Sequence, residues 1–151
     1  MTPYRKILVA IDFSEQSDVA VERAHEFAAK TGATITLLHA WQMPLFAGPE
    51  ILVYGPGETR ASLQDYLSRA ARTRLEALRA SLAARGFGEE IRTELREGDP
   101  ATVILELAKD ADLLVMGTHG RGALARFAMG SVAERVIRMA PCPVMTLKRA
   151  A

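Results

Sequence analysis

KILVAI, residues 6–11, is an unbroken aliphatic and β-branched run of strand length between Arg5 and Asp12. A strand without polar alternation is covered on both faces, as a central strand of a parallel sheet is. Working outward, residues 14–31 switch to helical spacing. Val19, Ala20, Ala24, Phe27 and Ala28 share one side, Glu22, Arg23, Glu26 and Lys30 lie elsewhere, and Gly32 supplies a stop. The Asp12/Ser14 pair before this run is a helix start signal, which assigns Ser14 to capping rather than to nucleophilic chemistry. ATITLLHAW (33–41) predicts a second strand. Leu63, Leu67, Ala70, Ala71, Leu75, Leu78 and Leu82, in steps of three and four, predict a long amphipathic helix over 59–85. EEIRTELREG (89–98) alternates like an edge or near-edge strand, and Asp99-Pro100 opens a helix over 99–111. DLLVMG (112–117), a helix from about 130 to 140 and CPVMTLK (142–148) complete five strands alternating with four helices.

That alternation predicts one α/β domain over 1–151, a doubly wound, five-stranded parallel sheet with helices on both faces. Ligands of such sheets bind beyond the carboxyl ends of the strands, where strand order reverses. Asp12 and Gly117 stand at two such ends. A formal charge of +1 gives no field for nucleic acid or an anionic membrane, so any anion site has to be local. A lone Cys142, an N-terminus without a signal-peptide pattern and no apolar run of membrane length predict a reducing cytoplasm.

After the fourth strand, GTHGRGALARFAMGSV (117–132) carries glycines at 117, 120, 122 and 130 with His119, Arg121 and Arg126 among them. The spacing is neither the dinucleotide fingerprint nor a P-loop. Glycines permit positive φ and close backbone approach, and the start of the last helix offers free N–H groups beside the Ser131 hydroxyl. Two readings follow from the residues alone: a phosphate cradle, or a loop in which Ser131 caps a helix. His119, Arg121 and Arg126 are candidate counter-charges for a polyphosphate, or members of a solvated loop. His39, inside a strand, reads as packed or hydrogen-bonded, His25 as solvated, and Cys142 as a small apolar residue. No Ser-His-Asp order, paired carboxylates or metal-ligand spacing is visible, so catalysis is unsupported.

Gly117-x-x-Gly120 followed by nine residues and Gly130-Ser131 resembles the ATP-binding signature of the universal stress protein family. ILVAIDFSEQSDVAVERA (7–24), TLLHAW (36–41), GDPATVILELAKDADLLVMGTHGRG (98–122) and GSVAERVIRMAPCPVMTLK (130–148) resemble the same family across the whole chain. The resemblance implies strand order 3-2-1-4-5 of the adenine nucleotide alpha hydrolase-like kind. It implies ATP as ligand, with Mg2+ or Mn2+ held mainly by the phosphates. Asp12 would meet the ribose or the metal-phosphate end, and the backbone around Ala40 and Met116 would frame adenine. Gly117, Thr118, His119, Gly120, Arg121, Gly130, Ser131, Val132 and Ala133 would surround ribose and phosphates. Many ATP-binding members carry a hydroxyl residue where this chain has Ala133, which removes one phosphate or ribose contact.

The resemblance also implies a homodimer through the last strand, about Pro143 to Lys148, and a regulatory role in stress response. Alternatives are a slow ATPase or phosphotransfer protein, and a dimerisation module with a vestigial pocket. QMPLFAGPEILVYGPGE (42–58) is too apolar for a neutral linker; it reads as a flap over the adenine side or as a partner surface.

Overall fold

The structure, a computed structural model, describes residues 4–48, 50–54, 60–88, 91–119 and 129–148. In chain order the elements are β1 (Lys6–Ala10), α1 (Glu15–Thr31), β2 (Thr34–Trp41), β3 (Leu52–Val53), β4 (Ala61–Ser62), α2 (Leu63–Ala84), β5 (Ile91–Glu97), α3 (Pro100–Ala108), β6 (Leu113–Gly117), α4 (Ser131–Met139) and β7 (Val144–Leu147). Five strands form one sheet in the order β5-β2-β1-β6-β7, every neighbouring pair parallel. Counted along the chain, this is the expected order 3-2-1-4-5. The sequence reading places no strand within 42–58, and the structure does. Leu52 pairs with Ser62 and Val53 with Ala61, so part of it forms an antiparallel ribbon ahead of α2.

The unbroken apolar run of β1 has the cause inferred for it. Ile7 and Val9 pack on one face with Ala20, Val21 and Ala24 of α1 and Leu75 of α2. Leu8 and Ala10 pack on the other with Ala101 and Ile104 of α3 and Val136 of α4. Burying both faces removes the reason for a polar alternate. β5 lies at one edge, where Ile91 and Leu95 turn toward the α1/α2 core and leave the charged alternates outside. Among the described residues no helix is long and apolar enough to cross a membrane.

Three helices begin under a side-chain cap: Ser14 accepts from Ser17 N, Ser62 from Asp65 N, and Asp99 from Thr102 N. Gly32 ends α1 in the left-handed region at φ 71°, the conformation that favours glycine. The fourth helix differs. Its N-cap is Gly130, which has no side chain to donate or accept, so the reading of Ser131 as the cap is corrected.

Asp112 joins β1 to the start of β6. One carboxylate oxygen, Oδ2, accepts from Arg5 N and Lys6 N, each at 2.9 Å, and those two N–H groups hold the Asp112 carboxyl below its usual range. The Thr102 hydroxyl, then its backbone N–H, does the same for Asp99. A carboxyl with a lowered folded-state pKa contributes stability that is present above its unfolded value and lost as pH falls through the folded one. Asp18 opposes this in sign, being raised by burial first and then by Glu15 and Glu22. The expected net result is a falling denaturation midpoint below about pH 4, the ordinary aspartate range. Urea titrations across that range check this, and in Asp112→Ala the decline should be shallower.

Candidate functional site

The chain runs outward from β1 through β2 to β5 and then crosses to β6 on the other side of β1, so strand order reverses between β1 and β6. A cleft of about 460 Å³ opens there, within the size range of small-ligand pockets. Its floor is the register-matched set Ala10, Leu38 and Met116. Ile11, Asp12 and Ser17 close it from the β1–α1 turn, Pro100 and Ile104 from α3, Gly117 to His119 from the end of β6, and Gly130 to Ala133 from the start of α4.

Ten of the residues singled out from the sequence therefore come together: Asp12, Ala40, Met116, Gly117, Thr118, His119, Gly130, Ser131, Val132 and Ala133 all line the cleft. Gly120 and Arg121, together with Arg126, fall outside the described residues. Sequence reasoning missed Ala10, Ile11, Leu38, Ser17, Pro100 and Ile104. Strand alternation was the available signal for two of them, since Leu38 shares a face with Ala40, and Ala10 with Asp12. The described part of the 42–54 segment lines none of the cleft, so as a flap it finds no support there. Instead Leu45, Phe46 and Tyr54 are 98%, 90% and 75% exposed.

The two ends of the glycine segment are tied to each other and to the sheet. Thr118 N donates to Leu147 O at 2.9 Å, and Gly130 N donates to Thr118 O at 2.8 Å. Of the two properties expected of these glycines, Gly117 is required for close approach and not for positive φ. A Cβ there would lie 2.7 Å from Gln16 Cβ, so α1 approaches the end of β6 too closely for any side chain. Gly130 is extended (φ −64°, ψ 152°), a conformation open to any residue.

Because Gly130 N is already engaged, the donors that α4 offers are the N–H groups of Ser131, Val132 and Ala133. The first intrahelical bond runs from Glu134 N to Gly130 O at 2.9 Å, which leaves those three without a helical acceptor at the positive end of the helix dipole. Beside them His119 Nδ1 lies 2.9 Å from Thr118 Oγ1, while His119 Nε2 is buried and has no hydrogen-bond partner among the described residues. An orphaned ring nitrogen next to open helix N–H groups suits an anionic group. Among the described residues no three His, Cys, Asp or Glu side chains group to hold a metal ion.

Asp12 lines the same cleft. Its Oδ1 accepts from Ser14 N (3.0 Å), Ser14 Oγ (2.5 Å) and Ser17 Oγ (2.6 Å). The turn that sets it there holds Phe13 at φ 61°, the one non-glycine residue with positive φ among those described. Such a conformation costs roughly 1–2 kcal/mol. The ring is held on the far side of the sheet, 4.6 Å from the His39 ring and 4.3 Å from the Arg74 guanidinium. His39 Nδ1 donates to Ile11 O at 2.9 Å, as expected of a hydrogen-bonded strand histidine. His25, expected to be solvated, stacks on Phe87 with centroids 3.8 Å apart. Cys142 is half-buried, and desolvation raises its thiol, the opposite of an activated nucleophile.

A parallel sheet in this order with its cleft at the reversal defines the adenine nucleotide alpha hydrolase-like class of fold. Within that class the chain belongs to the universal stress protein family, whose sequence profile matches residues 3–148. It is 35% identical over 148 residues to a universal stress protein of Methanocaldococcus jannaschii, covering 97% of this chain and 83% of the relative. Among solved structures, the Archaeoglobus fulgidus universal stress protein in complex with dAMP superposes with TM-score 0.64 at 27% identity, covering 97% of this chain and 100% of that one. A universal stress protein in complex with cAMP superposes with TM-score 0.67 at 26% identity, covering 99% and 100% respectively.

Proposed function

We propose that this protein binds ATP in the cleft between β1 and β6 and acts as a nucleotide-dependent regulatory module in the cytoplasmic stress response. The observation that carries the reading is the start of α4. Of the four helices among the described residues it alone lacks a side-chain cap, and its first turn lines the cleft, as does His119, whose Nε2 has no partner among those residues. Phosphates sit against Ser131, Val132 and Ala133, with Mg2+ or Mn2+ held chiefly by phosphate oxygens. Adenine lies toward Ala40 and Met116. Universal stress proteins complexed with dAMP and cAMP support an adenine nucleotide as the ligand class. Ala133, which lines the cleft, is 3% exposed and packs in the α3/α4 core, and its methyl stands where many ATP-binding members carry a hydroxyl residue. Mass spectrometry of natively purified protein should find retained adenine nucleotide. No retained nucleotide, together with no uptake in equilibrium dialysis at millimolar ATP, would overturn the proposal.

Regulation by a bound nucleotide needs a contact for it to bias. The edge of β7 supplies one, as a strand with a sheet neighbour on a single side among the described residues. A two-fold homodimer pairing residues 143–148 is the expected assembly. Val144→Pro removes a strand donor, so light scattering at micromolar concentration should report a dimer for the wild type and a monomer for the variant.

A further inference from the structure

We propose that Arg135 and Asp99 form a latch between α4 and α3, as positioning residues that set the phosphate-facing turn of α4; the proposal rests on the nucleotide reading above. Asp99 caps α3, and its Oδ2 accepts from Thr102 N at 2.9 Å and from Thr102 Oγ1 at 2.6 Å. Capping needs nothing more. Arg135, on the second turn of α4, nevertheless reaches both members of that cap. Its Nη1 donates to Asp99 Oδ2 at 2.7 Å and its Nη2 to Thr102 Oγ1 at 3.0 Å. A planar fork on two acceptors fixes direction as well as distance. Asp99 directly precedes Pro100, and Arg135 follows Ala133 by two residues, so the latch joins the helix starts that supply two walls of the cleft.

Of the two helices, α4 is the one such a latch has to hold. The turn before α3 is tied to β2 by Gly98 N, which donates to Trp41 O at 2.9 Å, and α3 itself buries Ala101, Val103, Ile104 and Ala108. α4 buries only Ala133 and Val136, and its N-cap hangs on Thr118 O by Gly130 N. One hydrogen bond is a pivot, and apolar contact is non-directional. A second attachment at Arg135 fixes the angle at which the Ser131, Val132 and Ala133 N–H groups meet a triphosphate.

Calorimetry with ATP and with adenosine, magnesium present, tests this on the full chain. Both side chains are half-exposed, so the variants leave the core intact. Pairs of this kind correspond to roughly two- to fivefold in an equilibrium constant, so Arg135→Gln should weaken ATP by that order and leave adenosine unchanged. Arg135→Lys, a point charge without the fork, should fall between Arg135→Gln and the wild type. Removing a cation near phosphate weakens ATP by charge alone, and two variants separate that effect. Arg138→Gln removes the same charge from the same helix, where it pairs with Glu134, and should weaken ATP far less. Asp99→Ser keeps a capping hydroxyl and loses the carboxylate; by charge alone it should strengthen ATP, whereas loss of the latch weakens it. Asp99→Ser combined with Arg135→Gln should be no weaker than Arg135→Gln alone. Unchanged ATP affinity in Arg135→Gln, an equal loss for adenosine, a loss as large in Arg138→Gln, tighter ATP in Asp99→Ser or additive losses in the double variant would overturn the proposal. A wild type that binds neither ligand fails the underlying nucleotide reading, and this proposal falls with it.

Discussion

Gly117→Ala should lower unfolding stability by about 1–3 kcal/mol, the range for forcing extra atoms into a packed site. It should remove nucleotide binding as well. The new Cβ would stand 2.7 Å from Gln16 Cβ, and both atoms belong to short, backbone-anchored positions that cannot rotate away. Relief requires the end of β6 or the first turn of α1 to move. The first carries Gly117, Thr118 and His119; the second carries Ser17 and, through it, Asp12, so either movement pulls a wall off the cleft. Gly48→Ala is the matched control. Nothing lies within 4 Å of a Cβ there and φ is not in the left-handed region, so its stability should stay within about 0.5 kcal/mol of the wild type. Urea denaturation of both variants, followed by ATP titration, separates the two effects.

How much of this was legible beforehand depends on the kind of information a residue carries. The core pattern was plain in KILVAI, because a strand buried on both faces has no polar alternate to obscure it. The caps at Ser14 and Asp99 were equally readable, since the side chain that satisfies the helix N–H groups is local in sequence. The β3–β4 ribbon was not: two residues per strand are too few to show a period of two. Gly117 was singled out from a turn pattern, as a glycine for positive φ or close approach, without the neighbour that demands it. A glycine required for space is set by Gln16, a hundred residues earlier, and no local pattern announces that. Ser17 was passed over because a serine three residues inside a helix looks like any first-turn polar residue. Only its two bonds to Asp12 distinguish it.

Gly130→Val should abolish ATP binding while preserving the fold. At φ −64° and ψ 152° valine is tolerated, and its N–H would still reach Thr118 O as glycine's does, so the start of α4 stays tied to β6. Valine caps a helix less well than glycine, so a modest fall in baseline stability is expected. The decisive effect lies elsewhere. Gly130 lines the cleft directly before the Ser131, Val132 and Ala133 N–H groups, so on the proposed reading two methyls added there should obstruct the approach of phosphate to them.

The measurement that bears most directly on the nucleotide site is therefore the change in melting temperature produced by ATP and magnesium, each protein compared with its own ligand-free baseline. At about 100 times the dissociation constant, ATP should stabilise the wild type by roughly 2.7 kcal/mol. AMP at equal concentration should stabilise it less, and Gly130→Val should show no rise. A wild type unmoved by millimolar ATP, or a Gly130→Val protein stabilised as strongly as the wild type, would contradict the phosphate cradle at the start of α4.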